Sequence, residues 1–127
     1  MIVRPYELGD EDGIEFTDVA SREWGDDDDR TALYYIHRAY SVTVVDGEYK
    51  NIGCFIPCKD GSEYVFFLLD RRSNPLIIRH CREILQSRPN KVWSLAQAGQ
   101  DKMHKFLGMV KTGLIGDKER WEKLERK

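Results

Sequence analysis

The sequence predicts an α+β protein, an α/β fold in the broad sense, built on a mixed, mostly antiparallel sheet flanked by helices. Residues 63–69 (EYVFFLL) form an apolar run without alternation, which is typical of a strand buried on both faces. Three strands joined by turn signals end in this run, and a polar turn followed by a helix leads away from it. The 127-residue length fits one domain, residues 1–127.

The first forty residues predict one strand and two helices. Residues 2–6 form a short strand candidate containing Pro5, and residues 10–24 carry apolar side chains at loosely helical intervals. Gly25 ends that helix, and the acidic run 26–29 begins the next one, whose apolar stripe includes His37. A histidine in such a stripe is more often a satisfied core residue than a ligand or a base.

The middle of the chain predicts a meander. Residues 41–45 alternate toward Asp46-Gly47, a hairpin signal, and residues 49–56 supply the partner strand. A second turn at residues 59–61 leads into the central strand. The order of these segments favours three sequential antiparallel strands.

The turn after the central strand has the features of an anion site. Ser73 and Asn74 are cap residues, Pro75 suits the first helical turn, and a helix is predicted to Ser87. A helix N-terminus offers free N–H groups, and Arg71 and Arg72 precede it. An ordinary turn with solvated arginines is the alternative interpretation.

The last third predicts a strand, a helix and a charged tail. Residues 91–97 form a strand that should lie parallel to the central strand across a helical crossover. Met103, Phe106, Leu107 and Val110 predict a final helix whose stripe belongs to the core. The tail, residues 116–127, is either an edge strand or a helix extension.

Composition narrows the functional classes. A net charge of −2 argues against a duplex nucleic-acid binder, and no apolar run has the length of a membrane span. The N-terminus does not read as a secretory signal, so a cytoplasmic location is expected. The three cysteines predict reduced, packed thiols, and no metal site is expected because finger-like ligand spacing is missing.

The order β-α-α-β-β-β-α-β-α resembles that of the GNAT superfamily of N-acetyltransferases across nearly the whole chain. Within it, the sequence is similar to small acetyltransferase-like proteins of tailed bacteriophages. The segments that carry the likeness are IVRPYELGD, YSVTVVDGEYKNIGCF, YVFFLLD and VWSLAQAGQDKMHKFLG.

The resemblance implies acetyl-coenzyme A as the cofactor and an acceptor site near the loop between the first two helices. The backbone of Phe67, Leu68 and Leu69 would pair with the pantetheine arm. The phosphates would lie at Arg71, Arg72, Ser73 and Asn74. General-base candidates are Glu63 and His37.

Several landmarks of that family are missing. Residues 71–78 contain no glycine, and Pro75 has no N–H for a pyrophosphate. The family's asparagine after the fifth strand corresponds to Gln100 or Ala98, and its general-acid tyrosine falls near Phe106 or Leu107. The tail looks short for the closing hairpin of that family, so the far edge of the sheet is expected either to be incomplete or to be completed by another subunit, as in a homodimer.

Two hypotheses follow. In the first, the protein uses no cofactor and binds a host or phage protein with a basic surface. In the second, it is an acetyl-coenzyme A-dependent N-acetyltransferase acting on an amine or a lysine. Both use the same candidate surface, which is acidic and aromatic and comprises Trp24, Asp26, Asp27, Asp28, Asp29, Tyr34 and Tyr35.

Overall fold

A seven-stranded sheet organises the fold, with hydrogen-bonded strand order β1-β2-β3-β4-β5-β7-β6. The computed structural model describes residues 1–16 and 35–123. Within these ranges the elements are β1 (Ile2–Pro5), β2 (Tyr40–Asp46), β3 (Tyr49–Pro57), β4 (Glu63–Leu68), α1 (Ile77–Ser87), β5 (Val92–Ala96), α2 (Asp101–Phe106), β6 (Val110–Ile115) and β7 (Lys118–Lys123). The predicted mixed sheet with β4 at its centre is confirmed.

The chain divides into two compact units. The first comprises residues 1–56 and 66–77, and the second comprises residues 57–65 and 78–127. β4 contributes its first half to the second unit and its second half to the first.

In the first unit, β1 and β2 pair antiparallel, as do β2 and β3. The hairpin between β2 and β3 turns at Gly47, whose φ of 61° is a conformation that suits glycine. Val44, Ile52 and Phe55 are buried, at 2% exposure or less. The alternation of residues 41–45 and the Asp-Gly signal therefore produced the expected hairpin.

A buried carboxylate fixes the edge strand of the first unit. Asp10 accepts two hydrogen bonds from Arg4 on β1, both at 2.8 Å, and one at 2.8 Å from the hydroxyl of Thr43 on β2. Lys50 on β3 lies 3.6 Å from the same carboxylate. The hydrogen bonds from Arg4, above all, hold the pKa of Asp10 well below its ordinary range.

The predicted helix over residues 10–24 is wrong at its beginning. Residues 7–13 form turns, and Phe16 makes an isolated antiparallel bridge with Asp70. Gly9 and Gly13 both have positive φ, which interrupts a helix here. The rest of that helix, and most of the next one, lie outside the described residues.

In the second unit, β4 and β5 run parallel, with Glu63 opposite Val92 and Tyr64 opposite Trp93. This confirms the crossover prediction. Cys81, Leu85 and Val92 are each at most 1% exposed and form part of this unit's core.

Residues 110–123 form a closing hairpin, so the expectation that the tail is too short to close the sheet is wrong. β6 and β7 pair antiparallel, and β7 also pairs with β5. Gly116, with φ of 62°, makes the turn. The prediction failed because Val110 was assigned to the preceding helix, although it begins β6.

The helix α2 ends at Phe106, four residues before the last residue of the predicted stripe, Val110. The N–H groups of Gly108 and Met109 donate to the carbonyl oxygens of Lys105 and His104, which is a Schellman ending, and Gly108 has φ of 84°. The predicted core stripe is consequently wrong for Met103 and Phe106, which are exposed. Val110 is exposed as well, Leu107 is buried as predicted, and His104 is a buried residue that the stripe did not include.

No helix within residues 1–16 and 35–123 is long and apolar enough to span a membrane. Cys54, Cys58 and Cys81 are free thiols. Burial raises the pKa of both Cys54 and Cys81 to about 12. In the described part of the chain, no three His, Cys, Asp or Glu side chains are grouped so that they could hold a metal ion.

Candidate functional site

The turn between β4 and α1, residues 69–76, is the candidate site, and it lies in the first unit. Asn74 initiates the helix: its side-chain Oδ1 accepts from the N–H of Leu76 at 2.9 Å, and its carbonyl accepts from Ile77 at 3.0 Å. Pro75 follows the cap residue directly. The sequence signal for a helix start at Ser73-Asn74-Pro75 was therefore sound, although regular helix begins at Ile77.

The first N–H groups of this turn donate to acceptors within the protein. The N–H of Asp70 donates to Asn51 Oδ1 at 2.7 Å. The N–H of Arg71 donates to the carbonyl of Glu15 at 2.8 Å, and that of Arg72 to Asp70 Oδ1 at 2.9 Å. These groups are thus already satisfied.

The remaining N–H groups are also engaged. Ser73 donates to the carbonyl of Asp70 at 3.1 Å, and Asn74 donates to Asp46 Oδ2 at 2.6 Å. Pro75 has no N–H to donate. The N–H groups of Leu76 and Ile77 donate to Asn74, as described above. Every backbone N–H from residue 70 to residue 77 therefore has a partner in the chain. An anion bound here would have to displace one of those partners.

Asp70 is the buried centre of the turn, at 3% exposure. Its two oxygens accept from Arg72 Nε at 2.9 Å and Nη2 at 2.7 Å, a bidentate pair. The N–H of Glu15 adds a bond at 3.3 Å. The guanidinium of Arg72 is the main reason that the pKa of Asp70 is lowered to about 2.

Both arginines of the predicted phosphate site are paired with carboxylates. Arg71 Nε lies 2.9 Å from Glu15 Oε2, and Arg72 Nη1 lies 3.5 Å from Glu15 Oε1. Arg72 also donates to the carbonyl of Gly13 at 2.8 Å and lies 4.7 Å from the ring centroid of Tyr49. Arg71 remains 61% exposed, so of the two it is the more accessible to a ligand.

Asn51, which was not among the predicted site residues, hydrogen-bonds to the turn from the neighbouring strand β3. It lies on β3 at 1% exposure, and its Nδ2 donates to Ser73 Oγ at 2.9 Å and to the carbonyl of Val44 at 3.3 Å. The available signal was an asparagine directly before the apolar run of residues 52–56, since a buried amide must find hydrogen-bond partners.

The other residues predicted to touch a cofactor lie on or just after β4. The side chain of Phe67 packs edge-on against Phe55, with ring centroids 6.4 Å apart, and lies over Gly53. Leu68 is buried and Leu69 is half-buried. Their proposed pairing with a pantetheine arm stays a prediction.

The two general-base candidates are placed differently from each other. Glu63 is buried and forms a bidentate pair with Arg88, at 3.0 Å and 2.6 Å. His37 is exposed, and its ring makes an edge contact with Tyr6 at 5.9 Å. The expectation that His37 is a core residue is therefore wrong, because Ile36 occupies the buried position instead.

Of the predicted partner surface, Tyr35 is described and is exposed. The remaining members, Trp24, Asp26, Asp27, Asp28, Asp29 and Tyr34, lie outside the described residues. Their role stays a prediction.

The region of the missing family landmarks contains a buried histidine. His104 on α2 has Nδ1 at 2.8 Å from the carbonyl of Gln100, and its ring stacks on Trp121 with centroids 5.1 Å apart. Phe106 is exposed and Leu107 is buried. The sequence analysis missed His104 because the apolar stripe was assigned one position away.

Comparisons with solved structures identify the fold. A GNAT-family acetyltransferase from Bacillus cereus aligns with 99% of this chain and 98% of its own, with a TM-score of 0.73 and 13% identity. A spermidine N-acetyltransferase SpeG chimera from Vibrio cholerae and hSSAT covers 97% and 94%, with a TM-score of 0.65 and 15% identity. PseH, an N-acetyltransferase from Campylobacter jejuni solved with acetyl coenzyme A, covers 98% and 100%, with a TM-score of 0.63 and 9% identity.

No protein-family model and no curated protein matches the sequence. The chain has the fold of GNAT-family acetyltransferases, with seven strands in one sheet. At these identities the likeness establishes the fold alone.

Proposed function

We propose that this chain is an acetyltransferase-like protein of the phage type whose catalysis is eroded, and that it acts by binding a host or phage protein with a basic surface in the cytoplasm. The observation that carries the proposal is the occupancy of the β4–α1 turn. Every backbone N–H from residue 70 to residue 77 donates within the chain. A pyrophosphate that binds through backbone N–H groups would find none of these groups free.

The electrostatics of the turn support the same proposal. Asp70 and Glu15 bring two carboxylates to the guanidinium groups of Arg71 and Arg72, and Asp46 brings a third to the N–H of Asn74. A phosphate would therefore compete with carboxylates that are already within hydrogen-bond distance. Displacing the buried Asp70 from Arg72 would also leave a buried charge unpaired, which costs about 3 kcal/mol or more.

Titration calorimetry with coenzyme A and acetyl-coenzyme A tests the cofactor part. We expect no binding tighter than about 100 µM. Asp46→Ala is the informative variant, because it frees the N–H of Asn74 and should strengthen any residual binding. Low-micromolar affinity of the unmodified protein, lowered by Arg71→Ala and by raised salt, would overturn the proposal.

An active N-acetyltransferase is the second candidate, and the acetyl-coenzyme A complex of PseH supports it. In this case Arg71, as the more exposed guanidinium, would hold phosphates, and the backbone of residues 67–69 would pair with the cofactor. The acidic run 26–29 would then attract an amine or a lysine acceptor. Acetyl transfer to a panel of polyamines and lysine peptides, followed by mass spectrometry, distinguishes this candidate from the first.

The partner surface is tested by charge removal. Asp26, Asp27, Asp28 and Asp29 are replaced with asparagine, and association with a partner purified from the host lysate is measured at low and high salt. We expect a lower association rate at low salt and little difference at high salt. A matched control neutralises four exposed carboxylates elsewhere, Asp12, Glu48, Glu83 and Asp101. Equal rates for the unmodified protein and the first variant at low salt would contradict the proposed surface.

A further inference from the structure

The outer sides of α1 and α2 meet in a surface that combines exposed apolar side chains with positive charge. Gln86 on α1 donates to the carbonyl of Leu107 at 2.8 Å, and the guanidinium of Arg82 lies 5.4 Å from the ring centroid of Phe106. Both contacts hold the end of α2 against one side of α1. All four residues belong to the second unit.

Helical spacing places the basic residues of α1 on the side that contacts α2. Arg79, Arg82 and Gln86 are related by i, i+3 and i+7 spacing, so they share a face of the helix. Cys81 and Ile84 lie on a different face, which is buried. Both arginines are exposed. Arg79 therefore extends by one helical turn the positive charge that Arg82 brings to the end of α2.

The outer face of α2 supplies the apolar part of the surface and two further cations. Met103 and Phe106 are 36% and 38% exposed and lie about one turn apart. Lys102 precedes Phe106 by four residues, so it neighbours the ring on the helix surface, and Lys105 flanks it. These side chains together form the helical basic surface, which comprises Arg79, Arg82, Lys102, Met103, Lys105 and Phe106.

The four cations of the helical basic surface have no ion-pair partner in the described part of the chain. Seven cations elsewhere do pair with carboxylates, namely Arg4, Lys50, Arg71, Arg72, Arg88, Lys111 and Arg120. The acidic residues of the two helices are Glu83, which lies 3.8 Å from His80 Nδ1, and Asp101. Four cations against two carboxylates leave an excess of positive charge here, although the net charge of the chain is −2.

We propose that the helical basic surface binds an acidic peptide segment of another protein, with an apolar or aromatic side chain of that segment packed against Phe106 and Met103. Its carboxylates would pair with cations that have no partner within the described residues, around an apolar centre. A nucleic acid fits less well, because Glu83 and Asp101 lie among the cations and the whole chain is negatively charged. This inference does not depend on the proposed cofactor state or on the acidic run 26–29.

Fluorescence anisotropy of the full chain with a fluorescein-labelled peptide, EDEWEDE, tests the proposal. We expect saturable binding at low salt with a dissociation constant on the order of 100 µM or lower. High salt should weaken this binding at least about fivefold, because it screens exposed charges. The peptide QNQWQNQ keeps the length and the tryptophan but lacks the charge. It should bind at least about tenfold more weakly than the acidic peptide.

Variants locate the binding site. Arg82→Glu and Lys102→Glu should each weaken binding at least about tenfold at low salt, because each replaces an attraction with a repulsion. Lys59→Glu is the matched control, since it makes the same change of charge at an exposed turn between β3 and β4. It should change the affinity less than about twofold. Phe106→Ala should weaken binding about fivefold at low and high salt alike, because it removes the apolar contact.

Circular dichroism verifies that each variant folds, and Lys102→Glu carries the test if Arg82→Glu does not. Absence of peptide binding at about 1 mM protein would overturn the proposal, as would equal affinity for the uncharged peptide. Equal losses for Lys102→Glu and Lys59→Glu would show that net charge, rather than this surface, attracts the peptide. Single-stranded oligouridine that binds at least about tenfold more tightly than the peptide, and loses affinity in Lys102→Glu, would assign the surface to nucleic acid and would overturn the proposal as well.

Discussion

The β4–α1 turn and the β6 edge differ in how many of their groups are already bonded or covered within the chain. In the turn, a helix N-terminus that ordinarily presents free donors has each N–H bonded, from Asp70 to Ile77. At the edge, β6 pairs on one side only within the described residues and exposes Val110, Leu114 and Ile115. Polar groups of the first region are bonded within the fold, whereas the second region leaves apolar side chains exposed at a strand edge.

The largest expected effect is in the turn. Asn51→Ala should lower the free energy of unfolding by about 3 kcal/mol, because it removes three hydrogen bonds and leaves the N–H of Asp70 buried without its acceptor. Urea unfolding at neutral pH measures this. Lys50→Ala on the same strand is the control and should cost less than about 1 kcal/mol, since its ion pair is partly exposed. A loss below 1 kcal/mol for Asn51→Ala would mean that the hydrogen bonds of Asn51 do not stabilise the turn.

The next effect concerns packing beneath β4. A Cβ at Gly53 would lie 2.8 Å from Phe67 Cε1, so Gly53→Ala should destabilise the protein by about 2 kcal/mol. Phe67→Ala removes the clash. The two changes together should therefore cost clearly less than the sum of the single changes. Additive losses in a denaturant double-mutant cycle would show that the ring does not depend on the glycine.

A smaller effect should appear on acidification. The pKa of Asp70 is lowered from its ordinary value of 3.8 to about 2. Its contribution to stability is therefore present above about pH 4 and is lost as the pH falls to 2, by about 1–2 kcal/mol. Asp70→Asn should flatten this part of the pH profile relative to the unmodified protein. The comparison between the two proteins isolates Asp70, because Asp10 titrates in both. Parallel profiles would contradict the pairing with Arg72.

The smallest effect on stability is expected at the edge. Leu114→Lys should change the free energy of unfolding of the monomer by less than about 0.5 kcal/mol, since the side chain is 68% exposed. Urea unfolding measures this. A loss above about 1 kcal/mol would indicate that Leu114 supports the monomer, and the contrast between the two regions would then be weaker.

The sequence predicted the sheet well because its strands have clear local signals. The unalternating run at residues 63–69 identified the central strand, and Asp46-Gly47 identified a hairpin. The end of α2 was harder to predict, since Gly108 ends the helix with a positive φ while Val110 continues the apolar spacing. The glycine indicates a helix end at residue 108, whereas the apolar spacing indicates a helix that continues to Val110. The prediction relied on the spacing, and it was wrong.

The state of the candidate site was not predictable from local sequence. Three residues that bond to the turn, Glu15, Asp46 and Asn51, are each 19 or more residues away in sequence from their partners in it. Local rules identify a helix N-terminus, but they do not show which distant acceptor reaches it. The buried His104 was missed for a related reason, because its burial depends on stacking with Trp121.

Asp46 serves two elements at once, and this has an evolutionary consequence. It ends β2 before the hairpin turn, and its carboxylate also accepts from the N–H of Asn74 at the start of α1. A single-base change in an aspartate codon can give alanine, glycine or asparagine, and alanine or glycine would return one donor to solvent. The turn is thus one mutational step from offering an anion a backbone N–H. Drift at a hairpin far away in sequence can therefore expose or hide a ligand-binding group without altering any residue of the turn.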